Sequence, residues 1–538
     1  MWKDALKQIK IDLGMDNQST KKNNPEKMSV AVLKEKHIKP KIPKKEVKKY
    51  LPNSIRKNQN KVGKKSNKKK TENLDSYHLI SHIRESNRTD IVKPRNELAE
   101  FKIAEIKSPD RQFLKDFIKN ESSVKFAMKA ITPVKNRSDV FKELVIGLDF
   151  GTAFTKVVVG ETTYAYAIPF NGFDYLLPSE LHVNELGTCF LQGEPQTTLV
   201  KDLKLPLVLA NASDLDRIAI VAFLALVFHA SRKWVEDNIF KDYTIDWLVN
   251  AGLPTSNYHD KVLKALYTKL INAAWSLSFI EVITINAANA ILHDDSAFKQ
   301  HLPIQQQLSV DSLNLFPEFA AQIVGYVQSP ARREFSHLLV DVGAGTLDVA
   351  MFIVKNENGD WMFETNGKGV ETLGADILLK HRVGSLNQNL KIEFIDSYPD
   401  AGEIITLFGI KLKDLARVDA PFKKAVNLSL KKVISSVAAG YSFGVDITTF
   451  ICGGGASVGL FREEVEAVKG RYPLSVISLP LPRRLKGKSL NASNYHRLSV
   501  AYGLSFDPFN IGKVISKNVD ARPPSKASPP SSYLLDPS

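Results

Sequence analysis

Residues 338–354 read LLVDVGAGTLDVAMFIV. An apolar run leads into Asp341, the chain turns at Gly343 and Gly345, and it leaves through Asp348 into a second apolar run. Short apolar runs bounded by glycine are the pattern of buried strands, so the stretch reads as strand, polar turn, strand. The turn is where chemistry would sit. Its glycines let backbone N–H groups converge on an anion, while the two carboxylates suit a metal ion or a water better than a phosphate.

The same pattern occurs at residues 144–159, LVIGLDFGTAFTKVVV. Asp149 precedes Gly151 by two positions and Lys156 by seven; Asp341 precedes Gly343 by two and Asp348 by seven. A hairpin repeated in register implies two halves facing one another across a single ligand.

At 538 residues, 43% of them hydrophobic, the chain has room for several domains and a large core. The longest apolar run, residues 218–230, is too short to span a bilayer and reads as a buried helix with Ser213 or Asp214 as its cap. Cys189 and Cys452 suggest neither a disulfide framework nor a zinc site, and no secretory signal is evident, so a cytoplasmic protein without a membrane segment is expected. Residues 1–70 hold 22 Lys plus Arg against 6 Asp plus Glu, whereas the rest of the chain is balanced at 51 against 52. The basic character therefore belongs to an appendage.

Four regions follow. Residues 1–75 are a basic extension read as disordered, preceded within it by a short amphipathic helix over 1–14. Residues 76–140 form a partly helical linker, including RQFLKDFIKN at 111–120. Residues 141–506 are the core domain, and residues 507–538 a Pro/Ser-rich tail. Within the core, strands are expected near 245–255 and 279–287, with a helix over 259–276 between them, and residues 292–314 read as an insertion. The helix PEFAAQIVGYV lies at 317–327, a strand, turn and helix start over 361–380, and a strand running through Gly453, Gly454 and Gly455 into a helix over 448–469. LSVAYGLSF at 498–506 is the last helical piece. Alternating strands and helices argue for α/β architecture.

The two hairpins followed by the triple-glycine corner resemble the actin-like ATPase superfamily. Within it, PEFAAQIVGYV, LGADIL and SVAYGLS look most like the ATPase domain of the DnaK-type, seventy-kilodalton heat-shock chaperones. The resemblance implies an α/β actin-like ATPase fold, two duplicated lobes around a central nucleotide cleft, with ATP or ADP and Mg²⁺ as cofactors. It implies that Asp149 and Asp341 flank the metal and that Glu318 reaches it through water. Asp348 would orient the attacking water. Gly151, Thr152, Gly343, Gly345 and Thr346 would hold the phosphates, and Gly453, Gly454 and Gly455 would receive the nucleoside. The family's lysine falls on Lys204 or Lys201. Phosphoryl transfer needs these parts, because its catalysis is mainly positioning and charge neutralisation.

Departures are Ala344 for a glycine of the second hairpin, and Ala456, Val458 and Gly459 after the glycine corner. The chaperones' peptide-binding domain has no counterpart in the 32 residues after 506. The expected function is a slowly hydrolysing ATP-driven switch of the heat-shock type without that domain, working with a protein partner or co-chaperone. The alternative is a filament-forming ATPase of the plasmid-segregation type, whose strand-to-turn segment IDWLVNAGLPT resembles. A small-molecule kinase ranks third, because no acceptor base can be assigned. The basic arm suits an acidic partner or nucleic acid, and its near lack of aromatics argues against sequence-specific recognition.

Overall fold

The structure, a computed structural model, describes residues 110–118, 140–170, 174–193, 196–254, 258–294, 307–333, 336–357, 360–386, 398–438 and 446–516. All of these belong to one compact unit. The helix expected at 1–14, the basic extension to 75 and the tail beyond 516 lie outside them.

The first lobe grows from the run that precedes Asp149. β1 (Phe141–Phe150) turns back into β2 (Phe154–Gly160), and β3 (Ala165–Ala167) continues the meander. β4 (Leu177–Pro178) adds to β2, while β5 (Leu181–Val183), β6 (Cys189–Phe190) and β7 (Thr198–Val200) form a small separate sheet. The single turn α1 (Leu205–Val208) precedes α2 (Asp214–Asn238). Ser213 and Asp216 close a reciprocal capping box at the start of α2. Among the described residues α2 is the one helix long and apolar enough to cross a membrane, and 78% of its apolar window is buried inside the protein. β8 (Thr244–Leu253) then runs parallel to β1, followed by α3 (Lys261–Leu277), α4 (Ile285–His293) and β9 (Leu313–Pro317), which is parallel to β8.

α5 (Glu318–Val327) carries the chain to the second lobe. There β10 (Ser336–Val342), β11 (Leu347–Glu357) and β12 (Asp360–Glu371) repeat the antiparallel meander. After α6 (Ala375–Ser385), α7 (Ala401–Phe408) and α8 (Leu412–Ala438), β13 (Ile447–Cys452) runs parallel to β10. α9 (Gly459–Lys469) leads to β14 (Leu474–Val476), parallel to β13. The chain returns to the first sheet as β15 (Leu485–Lys486), passes through α10 (Ser499–Leu504) and α11 (Pro508–Ile511), and ends in the second sheet as β16 (Lys513–Ser516).

The main path of the first sheet is β15-β3-β2-β1-β8-β9 and that of the second is β16-β12-β11-β10-β13-β14. Strand for strand the parallel and antiparallel pairings agree, so the repeat visible in the two hairpins extends to two whole sheets. Each lobe has its own apolar core. A third cluster gathers Val158 and Ala167 of the first sheet, Phe319 and Tyr326 of α5, Phe352 and Phe450 of the second sheet, and Leu498 and Tyr502 at α10. The three chain crossings between sheets, over 317–336, 476–485 and 504–513, run along this cluster.

Three expectations are corrected. The strand expected at 279–287 is a turn followed by α4, because Thr284 Oγ1 accepts from Ala287 N and caps a helix. The strand beside β8 is instead β9, which starts at the end of the stretch read as an insertion. The core extends past 506, since residues 508–516 are α11 and an edge strand paired with β12. It also reaches upstream of 141. Gln112–Phe117 is a short 3-10 helix, Leu114 is fully buried in the first core, and the Arg111 guanidinium forms a buried ion pair with Asp216.

Candidate functional site

Each hairpin places its leading aspartate on the last residues of a central strand. Asp149 faces Lys156 across the β1–β2 ladder, and Lys156 Nζ donates to Asp149 Oδ2 at 3.0 Å. The turn holding Gly151 and Thr152 is fixed from below by Ser179, whose hydroxyl donates to the Gly151 carbonyl at 2.7 Å. In the second hairpin Asp341 faces Asp348. Thr346 Oγ1 donates to Asp348 Oδ2 at 2.9 Å, and Gly343 N donates to the Thr346 carbonyl at 2.8 Å.

The second turn is oriented by α6. Gly374 N, Ala375 N and Asp376 N donate to the carbonyls of Gly345, Gly343 and Ala344 at 3.3, 3.0 and 2.9 Å. These three carbonyls are thereby tied to the start of α6 and turned away from an anion, which backbone N–H groups would have to meet. Ala344 fits this arrangement, since its carbonyl is the part that α6 uses.

The triple-glycine corner lies against the same hairpin. Gly453 has φ +86°, and a Cβ there would meet Asp341 Oδ1 at 2.2 Å and the Val342 carbonyl at 2.4 Å. Gly455 packs as closely on Val342 and Ala375, whereas a Cβ at Gly454 or Gly345 would meet nothing within 4 Å. Two of the three corner glycines are therefore explained by packing on the hairpin, and open room lies over Gly345 and Gly454.

Glu318 opens α5 behind Pro317. Gly252 of β8 makes room for it: a Cβ at Gly252 would lie 2.9 Å from Glu318 Cγ. Lys204, 4% exposed, donates from Nζ to Glu318 Oε1 at 2.8 Å. Of the two candidate lysines it is the one in the site; Lys201 is half exposed and reaches Glu180 at 3.5 Å. Burial works to lower the Lys204 pKa, but Glu318, Tyr267 and Asp149 override it and hold the ammonium charged. Nothing in sequence spacing ties Lys204 to Glu318, 114 residues away; the signal that was present is a lysine inside the apolar stretch LKLPLVL.

The carboxylates influence one another. Asp341 is pushed up from 3.8 to about 7, first by burial and then by Glu318 and Asp149. Asp348 rises to about 7 as well, by burial, Asp341 and Glu318. Asp149, Glu318, Asp341 and Asp348 stand against two lysines, so a divalent cation would balance the site. Among the described residues no group of three or more His, Cys, Asp and Glu side chains is placed to hold a metal directly. That donor set fits Mg²⁺, which keeps several waters and binds through one or two carboxylates plus phosphate oxygens.

No family model and no curated protein matches the chain. Among solved structures, one titled as the apo crystal structure of a pSK41 ParM protein is similar over 68% of this chain and 97% of its own, at 13% identity and a TM-score of 0.34.

Proposed function

We propose that the chain is a magnesium-dependent ATPase of the actin-like kind, binding ATP and ADP between its two lobes. The observation that carries this reading is the pair of register-matched hairpins whose aspartates lie close enough for Asp149 and Glu318 to raise the pKa of Asp341. Two such turns, each with glycine backbone beside a carboxylate, are what a polyphosphate held from both sides requires. Gly151, Thr152, Gly343, Gly345 and Thr346 hold the phosphates in this reading. Asp149 and Asp341 would hold Mg²⁺, with Glu318 beside them, and the cation would supply neutralisation of the phosphate charge. Asp348, aimed by Thr346, orients the attacking water. Lys204 keeps Glu318 in place and adds a positive charge. Gly454, within the corner, leaves room for the nucleoside.

Within this reading the filament-forming version stands first. The segment that resembles plasmid-segregation ATPases, IDWLVNAGLPT at 245–255, has its residues 245–253 in strand β8, and its Gly252 seats Glu318. The heat-shock type of switch is the second version. Phosphate release from Mg²⁺-ATP by the full chain, beside Asp149→Ala and Asp341→Ala, tests the ATPase. A folded wild type that neither binds nor hydrolyses ATP sinks it. Light scattering against protein concentration, with and without ATP, separates the versions: nucleotide-dependent polymerisation above a threshold concentration selects the filament, and a monomer at every concentration selects the switch.

A further inference from the structure

One buried side chain beside the hairpins is left over by the fold. Gln322 lies on α5 one turn after Glu318, a spacing that puts both on one helical face. It is 1% exposed, and its Oε1 has no hydrogen-bond partner. Its amide donates to the Asp341 carboxylate. A buried amide oxygen left unpaired carries its full desolvation cost, which a leucine or methionine at the same position would avoid. Something polar is therefore expected to meet it.

The structure provides the place. Glu318, Gln322, Asp341 and Asp348 line a pocket of about 10 Å³ whose remaining walls are Phe319, Leu339, Val349, Ala350 and Gly369. That is the room one water needs, and the polar lining supplies the two to four partners an internal water takes.

We infer that this pocket holds a single ordered water and that Gln322 positions it for attack on the terminal phosphate. The inference rests on the ATPase reading above. Gln322 Oε1 accepts one proton of the water, and a neighbouring carboxylate accepts the other, so an oxygen lone pair is turned outward. In the step, the water oxygen forms a bond to the γ-phosphorus as the bond to the bridging oxygen breaks. The bridging electron pair leaves with ADP, and the water's proton passes to the Asp348 carboxylate before release to solvent. An amide suits this post better than a carboxylate, because a further negative charge would sit directly against Asp341.

The test uses the full chain as wild type, Gln322→Met and Gln322→Glu, with Asp149→Ala as control. Gln322→Met keeps the bulk and removes both polar atoms. Its kcat is expected to fall about 10- to 100-fold, the cost of a misaimed nucleophile, with the KM for Mg²⁺-ATP and the melting temperature unchanged. Gln322→Glu keeps an acceptor oxygen and is expected to recover part of the loss. Wild-type kcat in Gln322→Met overturns the inference, as does a fall in kcat that is matched by KM and melting temperature in both variants. A crystal structure of the wild type gives an independent reading: a water within hydrogen-bond distance of Gln322 Oε1 is expected, and an empty pocket overturns the inference whatever the kinetics. A wild type without any ATP hydrolysis, or equal to Asp149→Ala, sinks the ATPase reading and Gln322's catalytic part with it, leaving the pocket water to be judged from the crystal structure alone.

Discussion

The two hairpins share a topology and differ in charge. In the first, the position seven after the aspartate is Lys156, and the cross-strand pair Asp149–Lys156 is a closed ion pair. In the second the same position is Asp348, and the cross-strand pair is two carboxylates, which repel when directly opposite. The duplicated backbone thus holds one side that is internally neutral and one that is held in tension, with Asp341 and Asp348 both pushed to about 7. A cation held between Asp149 and Asp341 would relieve the second hairpin more than the first, where Lys156 already neutralises Asp149. The comparison predicts that the second hairpin is the more sensitive of the two to a ligand's charge.

The largest expected effect is on turnover, and it should not distinguish the two sides. Asp149→Ala and Asp341→Ala should each lower ATP hydrolysis by about 100-fold or more, as losing a charge-stabilising group does; phosphate release measures it, and an unequal pair of losses would place the metal nearer one wall.

Stability of the nucleotide-free protein should separate them. Asp149→Asn strands the largely buried Lys156 without its counter-charge and should cost about 3 kcal/mol in denaturant unfolding. Asp341→Asn removes a repelled carboxylate and should raise stability by about 1–2 kcal/mol, a modest figure because the side chain keeps some contact with water. A loss of stability in Asp341→Asn would break the comparison.

The smallest effect is the pH slope. Asp341 and Asp348 titrate near 3.8 when unfolded and near 7 when folded, so between these values the folded chain binds more protons. Their contribution to stability is present below 3.8 and is lost as pH rises through 7. The free protein should therefore melt higher at pH 6 than at pH 8. Asp341→Asn should flatten that slope most, Asp149→Asn should flatten it less by removing one of the charges that raise Asp341, and saturating Mg²⁺-ATP should flatten it in the wild type.

The sequence announced those parts whose pattern is local. Asp149, Asp341 and their glycines are read from alternation and spacing within about twenty residues, and the structure has both hairpins, α5 and the glycine corner where the chain predicts them. The parts that escaped are set by distant partners. Phe279–Ala287 has strand-like side chains, yet the Thr284 cap and burial among the helices of the first core make it the start of α4. β9 and β16 are short strands defined only by the neighbour they pair with, β8 and β12. Arg111 looks like any linker arginine until Asp216 and the Lys201 and Asp202 carbonyls come within its reach. Lys204 and Gln322 depend likewise on which elements fold beside them. Their meaning is tertiary, and periodicity has no access to it.

The three chain crossings run along one apolar cluster formed by both sheets, α5 and α10. Mechanically they form an axle. Sliding one sheet past the other would shear all three segments together, whereas turning about the cluster bends each of them only slightly. In such a turn, travel would grow with distance from the axle, so groups close to it, such as Phe319 and Tyr326, would stay nearly still while the outer edges of the sheets swept the longest arc. Such a geometry would work as a lever, with small displacements at the pivot and large ones at the rim.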